Sequence, residues 1–428
     1  MNIAQKSQRL PLVSAKRRQF PLADHARPVD LQARPKLAVW ELTLRCDLSC
    51  RHCSSRAGHA RPDELSTEEA LALVGSLAKL GVLEVTLIGG EAYLRDDWLQ
   101  IIKAIRAHGM QCTMVTAGRG IDQSRAEAAQ LAGLQSVSVS IDGSPDVHDS
   151  LRNLKGSHQA ALRAMHYLAK AGIQVSANSQ IGRHSYRDLP KIFDTIASAG
   201  AHSWQIQLTV PGGRAADDPS LLLEPYQVLE VFSVIAWLKP QADAADILIW
   251  PGNNLGYFGP YEHLLRGNLF GGHRGSCGAG CVSIGIESNG DIKGCPSLPS
   301  DPYTGGNIRE FDLVDIWQRA EPLRFARNMR VSELWGYCAE CYYAEHCLAG
   351  CSWTAHSLFG KRGNNPLCHH RALEMLKRGR RERLVQVKAP SGTPFDHGLF
   401  EIVEEDWPAA ELKAAQAVAD AQQLWLET

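Results

Sequence analysis

The sequence lacks the features that would place it in a membrane, outside the cell or on a nucleic acid. No run approaches the roughly 18 uninterrupted apolar residues of a membrane span, and the N-terminus has no apolar core of a secretory signal. With 45 Lys and Arg residues against 46 Asp and Glu residues, the formal net charge is −1, so no positive excess favours nucleic acid or an anionic membrane. We therefore expect a cytoplasmic protein with no nucleic-acid partner and no membrane partner.

Cysteine is the residue type in excess, with 12 in a chain of 428 residues. A small secreted domain would use so many cysteines as disulfides. In a long chain without a secretion signal, a reducing compartment and thiolate-bound metal are the better interpretation. The remaining composition, 44% hydrophobic and 21% charged, is that of a globular protein with enough apolar side chains for a sizeable core.

Residues 37–240 repeat a strand–helix unit. Strand-like runs occur at 37–43, 84–89, 111–116, 134–142, 173–180 and 202–210, and helical patterns separate them. Ser66 with Glu69 forms a capping box at the start of the first such helix, and Gly81 follows its end. Six strands joined by helix-length connections imply parallel pairing, in either a doubly wound sheet or an α/β barrel. In both folds, ligands bind beyond the carboxyl ends of the strands.

The other segments predict less regular structure. Residues 1–36 form a basic, proline-containing N-terminal arm, either a flexible tail or a docking segment for a partner, and residues 241–272 are predicted to be a connector. Residues 273–375 hold eight of the 12 cysteines in a small domain that would need metal for stability. Residues 376–428 comprise a basic stretch, most simply a solvated helix face, and a C-terminal extension with a helix from Ala409.

Three cysteines follow the first predicted strand directly. Cys46, Cys50 and Cys53 form a C-x3-C-x2-C run on a loop at the carboxyl end of that strand. Structural zinc usually takes four ligands, whereas three thiolates leave one metal position open, which suits an iron–sulfur cluster that binds a further ligand. Three unrelated thiols, or a zinc knuckle completed by His52, are the alternatives.

The segment CDLSCRHC, from Cys46 to Cys53, resembles the cluster loop of the radical S-adenosylmethionine (SAM) enzymes. The resemblance implies that three cysteines hold a [4Fe–4S] cluster whose unique iron binds the amino and carboxylate groups of SAM. Electron transfer to the sulfonium then releases a 5′-deoxyadenosyl radical, which removes a substrate hydrogen. The family fold is a partial (βα)6 TIM-like barrel. His52 departs from the family, which usually has an aromatic residue near the adenine at this position.

The same resemblance implies SAM contacts at the predicted strand ends. Gly89, Gly90 and Glu91 match the family's GGE motif, with Glu91 holding the ammonium group. Arg152 is similar to the family arginine that pairs with the SAM carboxylate, as a planar guanidinium would. A turn, a capping serine or a surface arginine would explain these residues individually. The implied cofactor-binding residues are Gly89, Gly90, Glu91, Ser140, Asp142, Arg152, Asn178, Gln180 and Gln207.

The second cysteine constellation closely resembles the SPASM domain, which carries two auxiliary [4Fe–4S] clusters. The resemblance implies one cluster on Cys277, Cys281, Cys295 and Cys351, and a second on Cys338, Cys341, Cys347 and Cys368. The implied cofactors are thus three [4Fe–4S] clusters and SAM. Only Cys112 remains, as a buried apolar residue on the third strand. Two zinc sites are the physical alternative, because C-x2-C and C-x3-C knuckles also bind zinc.

SPASM enzymes most often modify peptides, so the resemblance predicts a peptide maturase that installs a cross-link or an oxidative rearrangement in a ribosomally made peptide. Pro296 stands where sulfatase-maturing members have an aspartate, which disfavours that subgroup. No catalytic acid or base is identifiable.

The expected partners follow from the same resemblance. The first 36 residues are shorter than the winged-helix leader-binding domain of many maturases, so leader recognition would need a separate protein, the basic arm or the C-terminal extension. The electron donor is expected to be of flavodoxin or ferredoxin type. Radical modification of a small molecule such as a haem precursor, and a non-enzymatic zinc-binding scaffold, are the alternative functions.

Overall fold

A computed structural model describes residues 22–256, 258–267 and 277–424. Seven parallel strands lie side by side in chain order within one sheet. They are β1 (Leu37–Thr43), β2 (Glu84–Gly89), β3 (Gln111–Thr116), β4 (Ser136–Ser140), β5 (Gln174–Ile181), β6 (Ser203–Leu208) and β7 (Leu248–Pro251). A doubly wound sheet reverses its strand order at a switch point. The sequential order is instead that of a barrel, which confirms the predicted partial TIM-like fold.

Strand β7 lies within the segment predicted to be a connector. It pairs in parallel with β6, from Ser203 opposite Leu248 to Ile206 opposite Pro251. The prediction was wrong for these residues because a four-residue strand that ends in proline shows too little periodicity to detect.

Helices cover the outer face of the barrel strands, after a short N-terminal helix. The helices of this part are α1 (Pro28–Gln32), α2 (Thr67–Leu80), α3 (Trp98–Ala107), α4 (Gln123–Ala132), α5 (Pro145–Arg152), α6 (Ser157–Lys170), α7 (Leu189–Ser198) and α8 (Val228–Ala244). The predicted capping box is present, since Glu69 N–H donates to Ser66 and the Glu69 carboxylate accepts from Ser66 N–H. Gly81 ends α2 with a φ of 89°, in the left-handed region that favours glycine.

The stretch Pro219–Ala244 is long and apolar enough to span a membrane. However, 67% of its most apolar part is buried inside the protein. Val231, Phe232 and Ile235 of α8 belong to the main hydrophobic core. This burial is that of a core helix.

The cysteine-rich domain continues the barrel sheet. Strand β8 (Ser283–Ile286) pairs in parallel with β1, and β9 (Asp291–Lys293) and β10 (Gly306–Asn307) follow it in antiparallel order. The sheet therefore fixes this domain against the strand that precedes the first cysteine loop. The helices here are α9 (Glu262–Arg266), α10 (Ser300–Tyr303), α11 (Leu313–Arg319), α12 (Glu321–Asn328), α13 (Ala344–Cys347), α14 (Ser352–Phe359) and α15 (His369–Lys377).

The described part of the N-terminal arm, residues 22–36, packs on the cysteine-rich domain. The carboxylate of Asp30 is fully buried and contacts Arg27, Arg324 and Arg327 at 2.7–3.2 Å. These residues are thus an integral part of the fold, neither a free tail nor a segment kept for a partner. The basic residues Lys16, Arg17 and Arg18 lie outside the described residues.

We expect Asp30→Ala to lower the free energy of unfolding by about 3–5 kcal/mol, because it leaves Arg327 buried without a counter-charge and Arg324 with only the half-exposed Glu321. Burial alone raises the pKa of Asp30, but hydrogen bonds from Arg27 and Arg327 lower it to about 2. This pKa lies below the unfolded value of roughly 3.9. The ionised carboxylate therefore stabilises the fold above about pH 4, and this stabilisation is lost as the pH falls from about 4 towards 2.

Denaturant-induced unfolding of the holoprotein at pH 7 measures the effect. Glu321→Ala is the matched control, since it removes the half-exposed partner of the same Arg324 and is expected to cost less than about 1 kcal/mol. Equal losses from the two variants would contradict the assignment.

The basic stretch after the cysteine-rich domain forms a strand, so its interpretation as a helix face was wrong. Strand β11 (Arg380–Lys388) pairs with β12 (Leu399–Asp406) in an antiparallel hairpin, and α16 (Ala409–Leu424) follows. Arg380 pairs with Glu404 and Asp406 across the hairpin, and Arg381 pairs with Glu405 and Glu411. These acidic partners come from later in the chain, which the local sequence of the stretch does not reveal.

The inner face of the barrel is polar and hollow. The side chains of Thr86, Thr113, Ser138 and Gln205 line a cavity between the strands with about 570 Å³ of empty space. The interior of a closed barrel is usually filled by bulky branched side chains. Small hydroxyl-bearing residues leave an open lumen below the carboxyl ends of the strands.

Candidate functional site

The carboxyl ends of the barrel strands open into a cleft with about 1040 Å³ of empty space. The structure places all the predicted residues of the first cysteine run and of the implied SAM site in its wall. These residues are Cys46, Cys50, Cys53, Gly89, Gly90, Glu91, Ser140, Asp142, Arg152, Asn178, Gln180 and Gln207. They come from β2, β4, β5 and β6, from the loops after β1, β2 and β4, and, for Arg152, from the end of α5, so the parallel sheet brings most of them together.

The three thiols of the cluster loop pack together with Leu48, Ala117 and Leu154. Each sulfur has a polar neighbour: Leu48 N–H donates to Cys46 Sγ at 3.4 Å, Arg152 Nη1 donates to Cys50 Sγ at 3.7 Å, and the Ser55 hydroxyl lies 3.4 Å from Cys53 Sγ. Hydrogen bonds to sulfur tune the potential of a bound cluster. Burial raises the pKa of Cys46 to about 12, so a bound metal must displace the thiol proton.

The spacing of the thiols fits a cluster better than a zinc ion. All 12 cysteines are free of disulfides, and among the described residues no three cysteine sulfurs lie within 4.8 Å of one another. Zinc binds sulfur at about 2.3 Å, which brings tetrahedral ligands to about 3.8 Å from each other. The described cysteines are therefore not placed for a single zinc ion, while Cys46, Cys50 and Cys53 lie close enough for their charges to interact.

Arg214 holds the cluster loop in place, although it was not predicted as a site residue from the sequence. Its Nε donates to the carbonyl of Cys50 at 2.7 Å, its Nη atoms donate to the carbonyl of Ala57 at 3.1 Å, and its backbone N–H donates to the carbonyl of Cys53 at 3.0 Å. The signal was its position shortly after the sixth predicted strand, on the side of the sheet where ligands bind.

Glu91 lies beside the first cysteine. Its carboxylate accepts hydrogen bonds from the Thr116 hydroxyl and, at 2.8 Å, from Ala117 N–H. Cys46 Sγ and carboxylate oxygens of Asp47 and Glu91 lie within 4.8 Å of one another. Burial raises the pKa of Glu91 to about 7, and the hydrogen bonds from Thr116 and Ala117 oppose that shift. A cationic ligand group beside the cluster would meet this acid.

Gly89 and Gly90 serve a packing role that the resemblance did not imply. A Cβ atom on Gly89 would collide with the carbonyl oxygen of Thr43, and one on Gly90 would collide with the carbonyl oxygen of Arg45. Gly89 also has a φ of 143°, which L side chains rarely adopt. The two glycines therefore let the end of β2 pack directly on the start of the cluster loop.

Gly90→Ala is expected to displace Arg45 and Cys46, because the collision is with backbone atoms that cannot rotate away. We expect the variant to retain less than half of the iron of the barrel cluster after anaerobic reconstitution, measured as iron per chain. Gly58→Ala in the same loop is the control, since an added Cβ there meets nothing within 4 Å. Full iron loading of both variants would refute this account of the motif.

Asp142 and Arg152 form a buried ion pair in the cleft wall. Arg152 Nε donates to Asp142 Oδ2 at 2.7 Å, and Gln180 N–H donates to Asp142 Oδ1 at 2.9 Å. Burial raises the pKa of Asp142, but the charges of Arg152 and His52 beside it hold that pKa well below its usual range. Arg152 therefore already has a carboxylate partner, in addition to Cys50.

His52 is buried, with Nε2 at 3.4 Å from Asp142 Oδ2 and with no hydrogen-bond partner for Nδ1. Its ring therefore contacts Asp142, which already pairs with Arg152. The remaining predicted side chains lie on the same wall. Gln207 Nε2 donates to Asn178 Oδ1 at 3.2 Å, and Ser140 is buried.

The auxiliary cysteines form two separate groups. Cys277, Cys295 and Cys351 pack around Leu298, Tyr303 and Phe325, and Cys281 lies close enough to Cys277 for their charges to interact. Cys338, Cys341, Cys347 and Cys368 line a second cavity with Tyr337 and Arg371. These are the two sets that the resemblance implies. Cys112 is fully buried in β3, away from all three sites.

Comparison with known proteins identifies the family. The radical SAM superfamily model matches residues 40–196, and the model of an iron–sulfur cluster-binding domain, SPASM, matches residues 277–342. The AdoMet-dependent heme synthase of Nitratidesulfovibrio vulgaris is 30% identical over 370 residues, which cover 79% of this chain and 94% of that protein. The chain belongs to the radical SAM superfamily. This radical SAM enzyme uses SAM and iron–sulfur clusters as cofactors.

Other relatives of this radical SAM chain carry different names. Mycofactocin maturase MftC of Mycolicibacterium smegmatis is 29% identical over 321 residues, covering 74% of this chain and 78% of that protein. Among solved structures, Streptococcus suis SuiB with bound S-adenosylmethionine has a TM-score of 0.61 at 16% identity and covers 78% of this chain and 76% of SuiB. Native anSMEcpe with bound AdoMet has a TM-score of 0.63 at 16% identity, covering 79% of this chain and 95% of that one. At such identities the structures support the fold alone.

Proposed function

We propose that this radical SAM/SPASM enzyme modifies a ribosomally made peptide. The observation that carries the proposal is that the arginine side chains in the cleft already bind other groups of the protein. Among the described residues that line it, the arginines are Arg152 and Arg214. Arg152 is committed to Asp142 and Cys50, and Arg214 to the backbone carbonyls of the cluster loop. A haem precursor carries several carboxylates, whose burial needs cationic partners, whereas a peptide segment does not require them.

The lumen below the cleft supports the same substrate class. Thr86, Thr113, Ser136, Ser138 and Ser176 line its empty space, and the Thr86 and Thr113 hydroxyls hydrogen-bond to each other and to Glu84. Hydroxyls both donate and accept hydrogen bonds, so they are able to satisfy the N–H and C=O groups of an extended backbone.

We propose three [4Fe–4S] clusters, held by the residue sets described above. Cys46, Cys50 and Cys53 would supply three thiolates and leave one iron for SAM, and Glu91 would hold the ammonium group of SAM. Each auxiliary site has four cysteines and is fully ligated by protein. When bound, the barrel cluster and SAM supply the 5′-deoxyadenosyl radical that removes a hydrogen from the substrate. The chain itself holds the loop through Arg214, positions Asp142 through Arg152, and surrounds the radical with protein.

The proposed partners complete this function. We propose a separate leader-recognition protein for the peptide, an electron donor of flavodoxin or ferredoxin type, and a cytoplasmic location in which the clusters stay reduced.

The test uses the reconstituted holoprotein under anaerobic conditions with SAM, dithionite and synthetic peptides that match the short open reading frames neighbouring its gene. We expect about 12 irons per chain, formation of 5′-deoxyadenosine, and a mass change in the peptide that requires SAM. The control is the same mixture without SAM. A peptide of unchanged mass, with 5′-deoxyadenosine still formed, would contradict the peptide substrate and leave the radical chemistry intact.

Modification of a haem precursor is the second candidate. It is favoured by the relatives of Nitratidesulfovibrio vulgaris and Methanosarcina barkeri named AdoMet-dependent heme synthase, at 30% and 28% identity. Incubating the same holoprotein with Fe-coproporphyrin III would reveal it as a SAM-dependent mass loss from the porphyrin. We expect no such loss, because the cleft arginines are committed to protein groups.

A further inference from the structure

The C-terminal hairpin reaches the cleft, although it lies outside both matched domains. The loop at 389–398 joins β11 to β12, and its residue Phe395 lines the same cleft as Cys46 and Glu91. Phe395 is buried, with 9% of its surface exposed. An element added after the cysteine-rich domain therefore forms part of the active-site wall.

An ion pair fastens this loop to the cluster loop. Arg56 Nε donates to Asp396 Oδ1 at 2.7 Å, and both side chains are largely buried. The backbone carbonyl of Asp396 accepts from Gly213 N–H at 2.8 Å, and its Oδ2 accepts from the N–H groups of Gly392 and Thr393. The position of Phe395 is thus fixed relative to Cys53 and to the end of β6.

Phe395 itself adopts a conformation that needs outside support. Its φ of 58° lies in the left-handed region, which is unfavourable for an aromatic L residue. Its ring contacts Lys293 Nζ at 4.1 Å from the ring centroid. The fully buried Lys293 donates to the carbonyls of Pro296 and Leu298 and pairs with Glu287 at 2.7 Å. The ring therefore covers a buried ionic group and joins the loop that carries Pro296 and Ser297.

One carboxylate oxygen in this part of the cleft has no partner. Glu41 Oε1 accepts from Arg61 at 3.1 Å and from the Ser288 hydroxyl at 2.9 Å, whereas Oε2 is buried without a hydrogen bond. The other carboxylates that line the cleft, Glu91 and Asp142, use both of their oxygens. A buried oxygen without a protein partner leaves a hydrogen-bonding position for a group that enters from the cleft.

We propose that Phe395 is a specificity-determining residue, which forms a substrate subsite together with Pro296, Ser297 and Oε2 of Glu41. Glu91, Asp142 and Arg152 form the SAM side of the cleft, so this wall is left for the substrate. The subsite suits an apolar side chain next to an N–H or O–H donor, as a peptide segment offers. The inference deepens the proposed function and rests on it for the identity of the substrate.

The first experiment needs no substrate. Ser297→Cys is introduced into the full-length holoprotein, and the rate of its alkylation by N-ethylmaleimide is measured by peptide mass spectrometry. Adding Phe395→Ala is expected to accelerate labelling of position 297 at least fivefold, because the ring no longer closes that wall. Phe395→Leu, which keeps an apolar side chain, is expected to give a smaller increase. Ser391→Cys, in the same loop, is the control and should label at the same rate with and without Phe395→Ala. An unchanged rate at position 297 would overturn the proposal.

The second experiment uses the same synthetic peptides, and the kinetic values refer to the one that the wild type modifies. Phe395→Ala is expected to raise the KM for this peptide at least tenfold, while the SAM dissociation constant and peptide-independent 5′-deoxyadenosine formation stay within twofold. Val403→Ala, on the exposed face of the same hairpin, should change none of these values. An unchanged KM, or a loss of SAM binding in Phe395→Ala, would overturn the subsite. If the wild type does not modify the peptide, the proposed function fails and the labelling result decides the subsite.

Discussion

Cys50→Ser is expected to lower 5′-deoxyadenosine formation at least 1000-fold. The variant removes one of three thiolates from a cluster that has no spare protein ligand, and iron should fall from about 12 to about 8 per chain. Arg152 Nη1 also donates to this sulfur, so the substitution changes this hydrogen bond as well as the ligand of the cluster. Anaerobic assays with SAM and dithionite, together with iron analysis, measure both effects.

Cys112→Ala is the matched control for this prediction. Cys112 is fully buried in β3, and its replacement removes a sulfur without touching any of the three sites. We expect the control to keep its full iron content and its rate of SAM cleavage, with a modest loss of stability from the small cavity. Retention of both properties by Cys50→Ser would show that the cluster loop is not the source of the radical.

Arg152→Gln is expected to destabilise the protein by about 3–5 kcal/mol, because it leaves Asp142 as a buried charge without its main partner. It also removes the donor to Cys50 Sγ and frees the Asp142 carboxylate that borders the SAM side of the cleft. We therefore expect SAM to bind at least tenfold more weakly. Denaturant-induced unfolding and equilibrium dialysis with labelled SAM measure the two effects separately.

Arg51→Gln serves as the comparison. Arg51 lies in the same cluster loop, but its ion pair with Asp218 is partly solvent-exposed. Exposed pairs contribute at most about 1 kcal/mol, so this variant should retain its stability and its affinity for SAM. Similar losses of stability and of SAM affinity in both variants would indicate a general effect of removing an arginine. That result would contradict a specific role of the buried ion pair.

The barrel could be predicted from the sequence because its signals are local. Each strand–helix unit has local signals within about 30 residues. Examples are an apolar strand run, a helix start such as the Ser66 capping box and a terminal glycine such as Gly81. The position of the first cysteine loop and of the implied SAM residues followed from the rule that ligands bind at the carboxyl ends of parallel strands.

The parts that the sequence could not reveal depend on distant contacts. Asp30 meets Arg324 and Arg327 about 300 residues later, and the arginines of β11 are neutralised by acids of β12 and α16. Phe395 lies in a loop with turn-forming residues on both sides, and no local pattern places it against the cleft. The position of Arg214 shortly after β6 indicated a place near the cleft. Its three carbonyl partners, however, belong to the loop after β1, which is far from Arg214 in the sequence.

The contacts of the active-site wall join the domains of the chain. Strand β8 continues the barrel sheet, and Arg61 of the cluster-loop region pairs with Glu41 of β1 and Glu287 of the cysteine-rich domain. The C-terminal hairpin then closes over this junction through Phe395 and Asp396. A substrate in the cleft therefore meets residues from all three parts of the chain.

The most direct test of the cluster assignment is electron–nuclear double resonance on the reduced holoprotein with SAM labelled by ¹⁵N at its amino group. Our account predicts a ¹⁵N hyperfine coupling from direct binding to the cluster held by Cys46, Cys50 and Cys53, present in the wild type and in Cys338→Ser, and absent in Cys50→Ser. An intact barrel cluster that shows no coupling to the labelled nitrogen, with SAM bound to the protein, would contradict it.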